Sequence, residues 1–204
     1  MSTGKERERS TAWWGIALAA CTRLSVAAAA EGRPQPVVVE VGAQEVSVVL
    51  SEGEGRVVAV EAECIIPRPR QKIWDVLSDY DRLEEFIPFI TESRVMRREP
   101  DAIILQQKGR AGMLGLNRYF TVTFRVQESP MRWIEFESFA GDFKRFKGRW
   151  DLEERSSGTC VRHEVQLEPA FFMPKWVMRL IARHILLRSL EAVIHRCLSM
   201  TSAT

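Results

Sequence analysis

The chain has only three histidines, His163, His184 and His195, among 204 residues. A nucleophilic triad needs a base beside a Ser or Cys and an acid to orient that base, and no G-x-S-x-G motif is present. Cysteine is almost as sparse. Cys21, Cys64, Cys160 and Cys197 show no C-x-x-C or C…H spacing, which argues against a metal site. Three of them lie in the body of the chain, so at least one stays unpaired, and buried thiols acting as small apolar side chains are expected. A phosphate-binding loop is also missing, because Gly112-Met113-Leu114-Gly115 lacks the Lys and Ser/Thr of a P-loop. No cofactor motif is visible. Charge of one sign is lacking too: 29 Lys and Arg face 27 Asp and Glu, a net charge of +2. That balance is too even for a nucleic-acid ligand, so no nucleic-acid partner is expected. No apolar run reaches the ~20 residues of a membrane span.

The first 30 residues read as a leader. Lys5, Arg7 and Arg9 precede the apolar Ala12–Ala20, and Ala28-Ala29-Ala30 offers a small-residue cleavage pattern before Glu31. Glu6 and Glu8 dilute the basic flank, and Arg23 interrupts the apolar run. A second reading is a bacterial lipobox, Leu18-Ala19-Ala20-Cys21, with Cys21 as the lipidated residue. An unstructured tail or an organelle transit segment is the third. The first two readings place the protein outside the cytoplasm or on a membrane; the third leaves it cytoplasmic or organellar.

Residues 31–55 form a transition, in which the β-branched runs Val37–Val41 and Val46–Leu50 flank Gly42-Ala43-Gln44 as a possible hairpin. Gly53 and Gly55 mark a boundary, and the main domain, 56–200, is expected to begin near Arg56. Val57–Ile66 reads as a strand closed by Pro67. Pro69 opens a short helix through about Leu77, and Asp81-Arg82-Leu83-Glu84 fits the capping box of a second short helix. Six strands follow: Ile90–Arg98, Ala102–Gly109, Leu116–Glu128, Arg132–Ser138, Phe143–Glu153 and Thr159–Glu168, separated by turn residues. In the third of these, Phe120, Val122, Phe124 and Val126 alternate with Tyr119, Thr121, Thr123 and Arg125. In the last, Val161, His163, Val165 and Leu167 share a face. A long helix closes the chain, from Pro174 to about Leu198. Its apolar side is read as Val177, Leu180, Ile181, His184, Leu187, Leu190, Ile194 and Cys197. About seven strands, two short helices and one long helix make an α+β domain, an antiparallel sheet covered on one face by helices.

Trp74-Asp75-Val76-Leu77-Ser78-Asp79-Tyr80, followed by Phe86-Ile87-Pro88, resembles the opening of the polyketide cyclase/dehydrase and coenzyme Q-binding family. So do the run from Gly141 to Trp150 with Gly158-Thr159 after it, the Leu167-Glu168-Pro169 ending and the Pro174-Lys175-Trp176 helix start. The resemblance covers roughly 56–198. It implies the START-like helix-grip fold, in which a curved sheet wraps the C-terminal helix around a lipophilic cavity. It further implies a hydrophobic small-molecule ligand such as a quinone or a lipid.

Two function classes stay open. One is a binder or carrier of a lipophilic molecule; the other is an aromatase/cyclase-type enzyme acting on a polyketide-like substrate. A protein-interaction module using the same groove is a weaker third. For the ligand site the expected lining is Phe120, Phe124, Phe136, His163, Val165, Leu180, His184 and Leu187, with His163 and His184 able to meet inside. Either histidine would then serve as a general base or donate to a ligand carbonyl. Gly148, between Phe146 and Trp150 on one strand face, is expected to admit a close neighbour. The apolar tip at Met113 and Leu114 and the turn at Phe172 and Trp176, flanked by basic residues, are read as a membrane contact or a lid.

Overall fold

The computed structural model describes residues 36–41, 44–52, 57–113 and 116–199. The expected leader, the boundary glycines Gly53 and Gly55, and Leu114 lie outside these residues, as does the side chain of Met113. The described residues form one compact unit.

Nine strands make one antiparallel sheet. They are β1 (Val37–Val41), β2 (Gln44–Glu52), β3 (Val58–Ile66), β4 (Ile90–Arg98), β5 (Ile103–Met113), β6 (Leu116–Ser129), β7 (Trp133–Gly141), β8 (Phe143–Arg155) and β9 (Gly158–Pro169). Their spatial order is β1-β2-β3-β9-β8-β7-β6-β5-β4. The seven expected strands are β3 to β9. The expected hairpin also forms, and it joins the same sheet at the β3 edge, with Val48 opposite Ala62 and Leu50 opposite Val60. Val46 and Val48 are buried in the main core.

Strand alternation decides the two sheet faces. β3 reads buried at Val58, Val60, Ala62, Cys64 and Ile66, with half-buried residues between. The register carries this inner face across the sheet: Val60 opposite Val165, Val165 opposite Gly148, Gly148 opposite Phe136, Phe136 opposite Val126. The outer face is charged. Arg162 pairs with Glu61 and Glu63, and Arg149 bridges Glu135 and Asp151. Such exposed pairs are each worth only ~0.2–1 kcal/mol. Their net effect is a solvated outer surface.

Two helices cover the inner face: α1 (Arg70–Leu77) and the long α2 (Lys175–Ser199). Arg68, in the bend after β3, fixes the end of α2. Its Nε donates to the Cys197 carbonyl at 3.2 Å and its Nη2 to the Leu198 carbonyl at 2.8 Å. Those carbonyls have no partner within the helix, and a cation suits the negative end of its dipole.

Two local expectations are corrected. The expected second short helix forms over Tyr80–Glu85, but as a 3-10 helix without the expected side-chain cap. Asp81 does not cap it: its Oδ1 accepts from the Val95 backbone N–H at 2.7 Å, tying the turn to β4. The buried side of α2 is Met178, Ala182, Leu186, Leu190, Val193, Ile194 and Cys197. The C-terminal half agrees with the expected stripe, but the N-terminal half is rotated by about one residue. Apolar residues ring that half on nearly every side, so periodicity alone does not select the face.

Candidate functional site

The inner face has two regimes. Toward α1, packing is complete: Ile66, Val161, Leu190, Val193 and Cys197 have no accessible surface. Toward the other end, where β9 leads into α2, Phe120, Phe136, Phe143, Phe146 and Val165 are only half-buried against the core. The phenylalanines there form a continuous array. Phe120 meets Phe143 edge-to-face at 5.5 Å, Phe143 meets Phe146 at 5.0 Å, Phe146 meets Phe124 at 5.0 Å, and Phe124 meets Phe136 at 5.2 Å. Each pair of this geometry adds ~0.5–1.5 kcal/mol beyond its buried area. The result is an ordered aromatic bed with ring surface left accessible.

Two glycines shape the bed. A Cβ on Gly148 would stand 2.3 Å from Cζ of Phe136, and one on Gly109 would stand 2.2 Å from Cζ of Phe120. Each phenylalanine is the cross-strand partner of its glycine. The missing side chain lets the ring lie over the strand instead of standing up toward α2. The expected close neighbour of Gly148 is therefore Phe136.

Phe143 and Phe146 are two bed residues that the spacing did not reveal as site residues. Three apart in a regular strand, they would point to opposite faces. A bulge at Lys144, between the pairs Phe143–Pro169 and Arg145–Glu168, restores Phe143 to the inner side. No signal in the sequence marks that bulge.

His163 sits where the two regimes meet. It is 5% exposed. Its ring lies flat on the Trp150 indole, 3.5 Å away and 5° from parallel, and 6.4 Å from the Phe136 ring. Its Nδ1 is 3.1 Å from the Arg149 carbonyl oxygen. Burial pulls its pKa down to about 4, opposed only by that backbone bond. On the outer face the Arg149 side chain is held by Asp151 and Glu135, which fixes the carbonyl beneath the imidazole. Lys147, then Arg149, keeps the Glu135 carboxyl below its ordinary range.

Of the residues expected to line the site, Phe120, Phe124, Phe136, His163 and Val165 come together on the inner face. Leu187 packs against the core from α2. Leu180 and His184 do not join them. Leu180 is 48% exposed, and His184 is exposed with its ring edge-on to Phe89 at 5.8 Å. The expected meeting of His163 and His184 therefore does not occur, a consequence of the rotated N-terminal half of α2.

The open end is built by three segments. The Asp142 backbone N–H donates to Thr121 O, and the Thr121 N–H donates to Asp142 Oδ2 at 2.8 Å. The Ala170 N–H donates to Asp142 O. Beside them the Arg118 guanidinium lies 3.6 Å over the Phe171 ring. Around this junction Tyr119, Phe172 and Trp176 are exposed, at 71%, 81% and 63%. The buried Cys64 and Cys197 thiols are pushed up to about 12 by burial, so neither is a ready nucleophile. Among the described residues no group of three or more His, Cys, Asp or Glu is placed to hold a metal ion.

The family model for polyketide cyclase / dehydrase and lipid transport matches residues 66–194. The chain belongs to this family. Solved structures agree on the START-like, helix-grip fold. A STAR-related lipid transfer protein from Xanthomonas axonopodis superposes with a TM-score of 0.64 at 14% identity, covering 80% of this chain and 99% of that one. Human STARD10 gives 0.63 at 14% identity, covering 84% and 75%. The Zhui aromatase/cyclase from Streptomyces sp. R1128 gives 0.62 at 13% identity, covering 72% and 97%. At these identities the likeness is one of fold. No curated protein matches the sequence. The matched region begins at Ile66, so β1, β2 and nearly all of β3 precede it.

Proposed function

We propose that this protein holds a lipophilic small molecule, quinone- or lipid-like, on the aromatic bed between β6–β9 and α2, and carries it to or from a membrane. The observation that supports this reading is the contrast along one sheet face. Ile66, Val161, Leu190, Val193 and Cys197 have no exposure, while Phe120, Phe136, Phe143 and Phe146 stay half-buried. A core under pressure only for stability would bury those rings, because each large apolar side chain fully buried contributes ~1.5–3 kcal/mol. Ligand pockets have this composition, mostly apolar with very few polar groups to set orientation.

The exposed Tyr119, Phe172 and Trp176 beside Arg118 and Lys175 support a peripheral contact at the open end. Apolar insertion and attraction of basic residues to anionic lipid act together at such a surface. Native mass spectrometry and solvent extraction of the purified protein test the reading. A co-purified lipophile, or saturable uptake of an apolar dye into the stripped protein, is the expected result. A protein that takes up neither does not work this way.

A second reading, an aromatase/cyclase-type enzyme, draws on the buried His163 beside the bed. It predicts conversion of a polyketide-like substrate, lost in His163→Phe. Unchanged recovery of every bound lipophile supports the carrier instead.

A further inference from the structure

We propose that Nε2 of His163 is the polar anchor of the aromatic bed and accepts a hydrogen bond from a hydroxyl of the bound molecule. The site then selects a phenol, hydroquinone or alcohol over the ketone, quinone or ether of the same skeleton. This rests on the ligand-binding reading above and specifies its chemistry.

The argument starts from the proton on the ring. A carbonyl oxygen can only accept, so the 3.1 Å contact with Arg149 O requires the hydrogen on Nδ1. Burial keeps the ring neutral at ordinary pH. Nε2 is then a bare lone pair, an acceptor that cannot donate to a carbonyl or an ether oxygen. The ring cannot easily turn to change this, because it is stacked flat on Trp150 at 3.5 Å.

Direction follows from imidazole geometry. The two nitrogens point to nearly opposite sides of the ring. Since Nδ1 is bound to the backbone of β8, Nε2 lies on the side of the ring away from that carbonyl, and the Phe136 ring centroid is 6.4 Å from that of the imidazole. Among the described residues the imidazole's hydrogen bond is the one at Nδ1, and Nε2 is not one of the buried atoms left without a partner. Nε2 therefore keeps accessible surface on a side chain otherwise 95% buried, where a ligand group or water can bond it. A ligand hydroxyl is the complement of a bare nitrogen lone pair next to aromatic rings. The cross-strand neighbours of the inner face fit the same picture: Val165 and Gly148 present no competing donor.

The test uses the full chain, freed of lipophiles by solvent extraction, with a bound apolar fluorescent dye as reporter. Dye displacement by 2-naphthol is compared with displacement by 2-methoxynaphthalene, which has the same skeleton without the donor. The wild type should prefer the naphthol by about fivefold to tenfold, the usual net worth of one hydrogen bond. In His163→Phe, which keeps a ring against Trp150, the preference should vanish while the dye still binds. Nitrogen-15 NMR of the wild type reads the tautomer directly and stands even if the variant fails to fold. It should show a protonated Nδ1 and a bare Nε2 whose resonance moves with naphthol and not with the ether. Equal displacement by both probes, displacement by neither, a proton on Nε2, or an Nε2 resonance indifferent to naphthol would each overturn the anchor while leaving lipophile binding intact. Failure of the dye to bind at all would overturn the ligand-binding reading itself.

Discussion

Adding one methyl group at Gly148 tests the bed where it is tightest. In Gly148→Ala the new Cβ would lie 2.3 Å from Cζ and 2.8 Å from Cε2 of Phe136, and 2.9 Å from the Glu164 carbonyl oxygen. Carbon contacts settle near ~3.5 Å, so the ring tip has to retreat by about 1 Å. It cannot do so alone, because its edge-to-face contacts with Phe124 and Phe146 lie at 5.2 and 5.9 Å. The carbonyl belongs to β9 and is fixed by the sheet register. Overpacking of this kind costs ~1–3 kcal/mol. For a chain of this length that lowers Tm by about 3–10 °C. The displaced ring also rises into the space above the bed, so the same substitution should weaken dye or lipid uptake. Thermal unfolding followed by circular dichroism measures the first effect, and dye titration of the same sample measures the second. Shortening the ring supplies the control. If the clash is the cause, Gly148→Ala/Phe136→Leu should be more stable than the sum of the two single changes predicts. A Gly148→Ala protein with unchanged Tm and unchanged uptake, or a double variant that is merely additive, would refute this account of the glycine.

Four further outcomes are expected. His163 has a folded pKa of about 4 against an ordinary value of 6.5, so the unfolded chain binds the extra proton between those values. Stability should therefore fall as pH drops from about 6.5 to about 4, by about 3 kcal/mol from this residue. Urea denaturation across that range should show a shallower loss in His163→Phe than in the wild type. Arg68→Ala removes both hydrogen bonds to the last carbonyls of α2 and should cost ~1–3 kcal/mol, with amide exchange accelerating first in the final turn of the helix. Leu187→Glu places a charge among the half-buried apolar residues packed on the core, and a folded Leu187→Glu protein that still retained its lipophile would contradict the placement of the site. Phe172→Asp/Trp176→Asp should abolish sedimentation with anionic liposomes, and wild-type binding should weaken as salt rises. Binding that is equal in the double variant would assign these side chains to a lid.

The strands were legible because burial alternates with the period of two that their sequences show. In β6 the buried Val122, Phe124 and Val126 alternate with outward Thr and Arg as the pattern implies. The burial of Cys64, Cys160 and Cys197 was legible too, since their spacing offered no other chemistry. The N-terminal half of α2 was not. Val177, Met178, Leu180, Ile181, Leu186 and Leu187 surround that half, so several stripes fit equally well, and only contact with the sheet selects Met178, Ala182 and Leu186. That one rotation moved Leu180 and His184 out of the expected site. Asp81 was misread for a related reason. Its partner, the Val95 backbone, is 14 residues away in sequence and belongs to β4, so a local capping pattern could not reveal it. The bulge that turns Phe143 inward depends on how β8 pairs with β9, which is likewise invisible to alternation along one strand.

On the proposed function, the same features bear on which end of the domain a ligand would enter. The C-terminal end of α2 is held by Arg68, which is itself tied to β9 through the Thr159 hydroxyl donating to the Arg68 carbonyl at 2.9 Å. Arg196 adds a bond to Glu85. In that half of α2 Leu190, Val193 and Cys197 have no accessible surface, and the hairpin adds Val46 and Val48 to the same core. Opening there would break several bonds and expose the best-buried part of the core. The N-terminal end of α2 starts at Lys175, just after the linker whose Ala170 is bonded to the β7–β8 turn. Its neighbours on the bed are half-buried rings rather than a sealed layer. A local opening costs least where the fewest apolar contacts and hydrogen bonds must be given up. On the proposed function, the linker end of α2 is where a ligand is expected to enter, next to the exposed Phe172 and Trp176. Contact of those two side chains with a bilayer would bring the lipid phase to the one end of the fold where the aromatic bed can be reached without unpacking the core.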